Sequence, residues 1–227
     1  MKKILFKTCL KIITLLATVS AGLASNLPNC PENKSSYYHN CIGTYIFESG
    51  SKYVGEFKDG KYDGHGTYTY HGGGQYVGKW LGNKKHGEGI HTYADGSKYD
   101  GKWKNNKRNG KGTYTDTKGI KYVGIWQDGK KADKGTYIFA SGDRYVGGWK
   151  DDKANGEGIY TFVNGDTYVG EIAYGILQGK GTFTFVNDDQ YIGNFLENKK
   201  HGQGTQTYAD GSTYVGEWKN DKRDGQG

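Results

Sequence analysis

A tyrosine returns every 23 residues without a single insertion, at Tyr53, Tyr76, Tyr99, Tyr122, Tyr145, Tyr168, Tyr191 and Tyr214. Two residues after each stands a glycine: Gly55, Gly78, Gly101, Gly124, Gly147, Gly170, Gly193 and Gly216. Two further on stands a large apolar residue: Phe57, Trp80, Trp103, Trp126, Trp149, Ile172, Phe195 and Trp218. A second glycine pair follows, as in Gly64 and Gly66 or Gly202 and Gly204, and its second member is glycine in all eight periods. A period this strict means one supersecondary unit stacked on copies of itself.

Each unit reads as two strands and two turns. In Tyr53-Val54-Gly55-Glu56-Phe57 the positions alternate, with Tyr, Gly and Phe on one face and Val and Glu on the other. Residues 58–63 form a polar turn, and Gly66-Thr67-Tyr68-Thr69-Tyr70 alternates again. Gly-rich or Ala-Asp-Gly-Ser segments, such as 71–74, 94–97 and 209–212, then turn the chain back. The expectation is an all-β, single-layer antiparallel meander of about 16 strands, open and twisted, roughly 75 Å long at 4.8 Å per strand. The composition fits a thin sheet. Apolar residues are 34% of the chain, with 39 glycines and 20 tyrosines, so rings lying over backbone must replace a thick aliphatic core. Glycine in a strand weakens it unless something fills the missing space. Tyr and Trp rings of neighbouring repeats, resting on the Gly55-type and Gly66-type positions, are expected to do so.

The first 24 residues are a separate object. Residues 1–11 carry Lys2, Lys3, Lys7 and Lys11, residues 12–24 are an apolar run, and Ala21, Gly22 and Ala24 close it. That order predicts a signal peptide and export to a periplasm, envelope or exterior. The segment holds four lysines and no acid, so its removal lowers the formal net charge from +7 to +3. A nucleic-acid partner loses its electrostatic basis. Residues 25–42 form a short segment with Cys30 and Cys41, eleven apart, which in an oxidising compartment most simply form one local disulfide. Residues 43–227 are the array.

The pattern Tyr-x-Gly-x-Trp-x-x-Gly-Lys-x-x-Gly-x-Gly resembles the MORN (membrane occupation and recognition nexus) repeat. Tyr214-Val215-Gly216-Glu217-Trp218 with Lys222, Gly225 and Gly227 is a close match, as is Tyr53-Val54-Gly55-Glu56-Phe57 with Gly60, Lys61, Gly64 and Gly66. The resemblance implies a twisted, elongated single-sheet array of β-hairpins, of the exported bacterial type. The family is a module of junctophilins, plant phosphatidylinositol-phosphate kinases and a SET-domain methyltransferase. The roles it implies are membrane proximity, scaffolding and self-association, with catalysis left to separate domains.

Chemistry-bearing constellations do not emerge. His86 and His201 share one repeat position, expected on the solvated rim, and no histidine pairs with Cys or Asp at metal-ligand spacing. No nucleophile elbow or phosphate loop occurs, and Gly64-His65-Gly66 opens no helix. The expectation is a non-enzymatic protein with no cofactor, no metal and no catalytic residue.

Charge does segregate. The turns after the first strands are net basic, the opposite turns slightly acidic. Lys61, Lys84, Lys107, Lys130, Lys153, Lys199 and Lys222 occupy one repeat position, often with Lys85, Arg108, Lys131, Lys200 or Arg223 beside them. This makes a basic ladder with rungs roughly 10 Å apart, a candidate contact for anionic lipid or glycan. Interleaved acids (Asp59, Asp128, Asp151, Asp152, Glu197) fit a merely soluble rim instead. Two repeats depart from the pattern. Repeat four has Asp133 in place of glycine, and repeat six has Ile172 for Trp and Ile176-Leu177 where others carry polar or basic residues. Ile176 and Leu177 are a candidate partner contact. The last repeat leaves a sheet edge expected to pair with a second copy, the opposite end being shielded by the Cys30–Cys41 loop. The leading functional reading is an interaction scaffold, membrane- or envelope-associated. The alternatives are a cell-wall or carbohydrate binder and, by family association, a phosphoinositide-related regulator.

Overall fold

The computed structural model describes residues 26–32 and 37–225; the expected signal peptide lies outside them. Strand β1 (Cys41–Ile46) precedes the repeats. Seven-residue strands then open each repeat: β2 (Lys52–Lys58), β4 (Gln75–Leu81), β6 (Lys98–Lys104), β8 (Lys121–Gln127), β10 (Arg144–Lys150), β12 (Thr167–Ala173), β14 (Gln190–Leu196) and β16 (Thr213–Lys219). They alternate with nine-residue strands: β3 (Lys61–Thr69), β5 (Lys84–Thr92), β7 (Lys107–Thr115), β9 (Lys130–Ile138), β11 (Lys153–Thr161), β13 (Ile176–Thr184) and β15 (Lys199–Thr207). Short β17 (Lys222–Asp224) ends the series. Every strand pairs antiparallel with its neighbours in sequence, so the described chain is one open meander of 17 strands.

The turn between the two strands of a repeat is tighter than the polar residues suggest. Lys58 pairs with Lys61, which leaves only Asp59 and Gly60, both at positive φ (52° and 69°). This is a type I′ hairpin, whose twist suits paired strands. Residues 61–63, read from sequence as turn, are strand. Beyond the turn the register skips between Gly55 and Phe57, so that Glu56 faces a bulge around Gly64, whose φ is +101°. Asp133 occupies the equivalent position at φ 56°. Asp tolerates the left-handed region, so the departure in repeat four leaves the backbone path unchanged.

One face of the sheet is the core. Tyr53, Tyr76, Tyr99, Tyr122, Tyr168 and Tyr191 are completely buried, each lying on the glycine pair of its own hairpin. A Cβ on Gly55 would collide with Gly66 Cα, and one on Gly66 with the Tyr53 ring. This corrects the expectation that rings of neighbouring repeats fill those positions. Tryptophans from the same repeat and from the next one flank each ring of repeats two to four. Tyr76 meets Trp80 and Trp103 edge-on, at centroid distances of 5.0 and 5.4 Å. Each tyrosine hydroxyl donates to a carbonyl three residues on, as Tyr99 does to Lys102 at 3.0 Å. Each tryptophan Nε1 donates to a glycine carbonyl of the preceding repeat, as Trp103 does to Gly89 at 2.9 Å. Tyrosine therefore closes a repeat, and tryptophan joins it to the one before.

At the first end, a disulfide joins Cys30 and Cys41. Tyr38 packs edge-on against Phe57 at 4.9 Å, and the Gly60 amide donates to the Tyr38 carbonyl. Tyr38 thus packs on the end of the aromatic face, and residues 28–30 bond to Ile42 along the outer edge of β1, the edge this loop was expected to shield.

Candidate functional site

The paired basic residues do not form a single ladder. Neighbours in a strand point to opposite faces, and the structure divides them accordingly. Lys61, Lys84, Lys107, Lys130, Lys153, Lys199 and Lys222 start their strands beside the turns and are exposed. Two of them are ion-paired: Lys130 Nζ lies 2.9 Å from Asp151 and Lys107 Nζ 3.9 Å from Asp128. Four face another lysine directly across the hairpin, in the pairs Lys58/Lys61, Lys104/Lys107, Lys150/Lys153 and Lys219/Lys222.

The second residues of the pairs lie on the aromatic face, where each covers the ring of its own repeat and the tryptophan of the next. Lys85 Nζ is 5.1 Å from the Tyr76 centroid and 4.9 Å from that of Trp103. The Arg108 guanidinium lies 3.9 Å from Trp126, Lys131 4.8 Å from Trp149 and Lys200 4.9 Å from Trp218. Arg223 closes the row 4.5 Å from Tyr214. In repeat one Tyr62 takes the position and stacks on Tyr53 at 3.8 Å. Among the described residues, none of these five cations joins a salt bridge. Cation–π contact partly replaces their water. Burial still draws the Lys85 ammonium down to about 8 and lowers Lys131 and Lys200 as well.

Turn residues tie the repeats together under this row. Asn83, Asn106, Asp152, Asn198 and Asp221 each accept, through Oδ1, the backbone amide hydrogen of the covering residue one repeat earlier, at 2.7–2.8 Å. Several acids and amides that read as solubilising turn chemistry are therefore inter-repeat clamps. His86 and His201 differ from expectation too: their Nδ1 atoms are buried without a hydrogen-bond partner, not solvated on the rim.

Repeats five and six break the row. The covering position holds Ala154 and then Leu177, and the buried Trp position of repeat six holds Ile172. These truncations leave an open cleft of about 590 Å³ floored by Tyr145, Trp149 and Ile172 and walled by Tyr160, Phe162 and Phe183. Ile176 and Leu177 do not make one patch. Ile176 is exposed at the turn, whereas Leu177 lines the cleft. The cleft is not legible in the sequence, because residues 61–63 and their equivalents read as turn and so hide the alternation that places Ala154 on the aromatic face.

A continuous run of rings follows the same region. Tyr137, Phe139, Tyr160, Phe162, Phe183 and Phe185 succeed one another at centroid distances of 4.6–5.6 Å. A similar run, Phe47, Tyr68, Tyr70, His91 and Tyr93, lies over repeats one and two at 4.2–5.6 Å, whereas the regular Tyr and Trp rings beneath are buried. Among the described residues no group of His, Cys, Asp and Glu is arranged to hold a metal ion, and no helix is long and apolar enough to cross a membrane.

The family comparison agrees with this architecture. The MORN repeat model matches eight consecutive segments, 53–75, 76–98, 99–121, 122–144, 145–167, 168–190, 191–213 and 214–227. The chain belongs to the MORN repeat family, whose module is a non-enzymatic repeat. No curated protein matches the sequence. Among solved structures it is similar to the TCP domain of Drosophila melanogaster SAS-4 (dCPAP), in complex with a proline-rich motif of Ana2. The two share 10% identity over 83% of this chain and 97% of that one, with a TM-score of 0.42. It is also similar to the TCP10 domain of Danio rerio CPAP, at 12% identity over 77% and 82% of the two chains, with a TM-score of 0.33.

Proposed function

We propose that this protein is an exported, non-enzymatic scaffold that holds an anionic partner along its aromatic face. The observation that carries the reading is the contrast between neighbouring lysines. Lys84, Lys107, Lys130 and Lys199 stand exposed beside the turns, two of them ion-paired, whereas Lys85, Arg108, Lys131, Lys200 and Arg223 lie over rings with no carboxylate partner. A cation that is partly dehydrated and lacks an ion pair gains most from a ligand anion. Export is supported by the basic-then-apolar N-terminal sequence and by the Cys30–Cys41 disulfide, which suits an oxidising compartment.

The test is charge reversal on each face, with poly-glutamate as the probe. Lys85→Glu combined with Lys200→Glu should weaken binding by roughly tenfold or more at low salt, the size expected when two charge-assisted contacts are lost. Equal weakening by Lys84→Glu with Lys199→Glu would count against the aromatic face.

A second reading rests on a different observation. The lysines facing each other at Lys58/Lys61, Lys104/Lys107, Lys150/Lys153 and Lys219/Lys222 repel, and an anionic lipid surface along that rim would relieve the repulsion. Sedimentation with phosphatidylserine vesicles checks it, since Lys104→Glu with Lys150→Glu should abolish any binding seen.

A further inference from the structure

We propose that the cleft in repeats five and six is an anchor pocket for an aromatic side chain carried by an acidic, extended peptide of a partner. The inference rests on the aromatic face being the interaction surface, and adds where on that face the ligand is fixed and what it must carry.

Two truncations meet at one place. In the regular repeats the covering side chain reaches over its own tyrosine and the next tryptophan, as Lys85 does over Tyr76 and Trp103. Ala154 has no atoms to reach over Tyr145. The tryptophan it would have covered is Ile172. Ala and Ile thus replace a long cation and an indole at adjoining positions, and Leu177 only partly fills the same space one repeat on. The opening, about 590 Å³, is within the range of built ligand sites, roughly 300–1,000 Å³. Its floor and walls are rings, the surface on which another ring packs edge-on or offset.

Position along the sheet decides the rest of the ligand. Lys85, Arg108 and Lys131 precede the cleft on the same face, and Lys200 and Arg223 follow it. Lys131 and Lys153 also stand on its border. Of the carboxylates nearby, Asp152, Asp189 and Asp221 each accept a backbone amide hydrogen, from Lys131, Ala209 and Lys200, and among the described residues none lies within salt-bridge distance of the covering cations. A ligand seated in the cleft and running on in either direction therefore meets cations without a salt-bridge partner, of which Arg108, Lys200 and Arg223 donate only to the neutral oxygens of Gly129, Gln206 and Tyr208. An acidic polypeptide with one bulky aromatic residue satisfies both features. An anionic polysaccharide supplies the charge but no side group to fill the cleft.

The experiment uses the full chain and fluorescence anisotropy with labelled twelve-residue Glu/Ser peptides, one with a central Trp and a second with Ala there. Oligogalacturonate serves as the glycan probe. The expected result is binding of the Trp peptide at least tenfold tighter than the Ala peptide, reduced to the level of the Ala peptide by Ala154→Lys. That substitution supplies the covering side chain of the regular repeats, and an unchanged circular dichroism melt confirms that the array still folds. Glu-rich peptides that bind equally with Trp or Ala, or an Ala154→Lys variant that binds normally, overturn the pocket. If Lys85→Glu with Lys200→Glu still weakens those peptides, the aromatic-face reading survives and only the pocket fails. Binding of oligogalacturonate that Ala154→Lys blocks, with no preference for the Trp peptide, overturns the proposal in favour of a glycan. No binding of any probe overturns both.

Discussion

Repeats two to four and repeats five and six share one backbone and differ in what closes the aromatic face. In the former, a cation lies over every tyrosine and a tryptophan bridges back to the previous repeat. In the latter, Ala154, Leu177 and Ile172 stand in those places, and Gly158 and Gly181 receive no indole hydrogen bond from the next repeat. The backbone tolerates this because each tyrosine is fixed by its own hairpin. Tyr145 and Tyr168 keep their hydroxyl bonds to Gly148 and Glu171 and stay almost fully buried. Intra-repeat contacts preserve the fold, so inter-repeat contacts are free to vary, and in this chain their variation opens a cleft.

That division predicts unequal responses to substitution. Trp103→Ala removes a buried indole that joins two repeats and should cost about 3–5 kcal/mol in urea denaturation, whereas Ile172→Ala in the opened region should cost nearer 2 kcal/mol. Similar losses at both sites would mean that repeat six is packed as tightly as repeat three.

Alkaline pH probes the same contrast. Burial raises the buried tyrosines, Tyr145 to about 12 and Tyr99 and Tyr122 further. An unfolded chain releases these protons near pH 10 while the folded one retains them, so stability should fall steadily as pH rises above 10. Urea denaturation between pH 9 and 12 checks this, and a stability that stays flat over that range would contradict the burial of these rings.

Smaller effects are expected at the turns. Asn106 accepts the Lys85 amide hydrogen, and Asn106→Ala should cost about 1–2 kcal/mol by leaving that amide unpaired. Gly175 holds the corresponding place in repeat six, at φ 88°, with no side chain to accept from Ala154. Gly175→Asn should therefore stabilise the array, by about 0.5–1 kcal/mol. A thermal melt that shifts down would show that the clamp does not transfer. On the acid side, burial and the nearby Lys85 charge lower His91 to about 4. The unfolded chain takes up a proton below about 6.5 and the folded chain does not, so stability should be lost between pH 6.5 and 4. His91→Tyr, matching Tyr68 and Tyr114 at its position, should flatten that part of the profile.

The fold was largely legible because a strict period leaves one stacking solution, and Tyr-x-Gly-x-Trp specifies strand, face and contact together. The roles within it were less so. Gly55 and Gly66 read as seats for a neighbour's ring, but a ring can be placed on its own hairpin only once the register of Gly55 against Gly66 is known. Type I′ signals such as Asp59-Gly60 and Asn105-Asn106 were present, yet the polar residues after them masked three further strand positions. With those positions hidden, Lys84 and Lys85 read as one rim when the strand sends them to opposite faces. The cleft is a property of absent side chains at Ala154 and Ile172, which no residue advertises until the covering row is seen.

Lysine footprinting tests the central claim most directly. With the Trp-bearing Glu/Ser peptide bound, acetylation followed by mass spectrometry should show Lys85, Lys131 and Lys200 protected several-fold while Lys84, Lys130 and Lys199 react as in the free protein. Protection of the second set with the first unchanged would place binding on the turn rim and contradict the account.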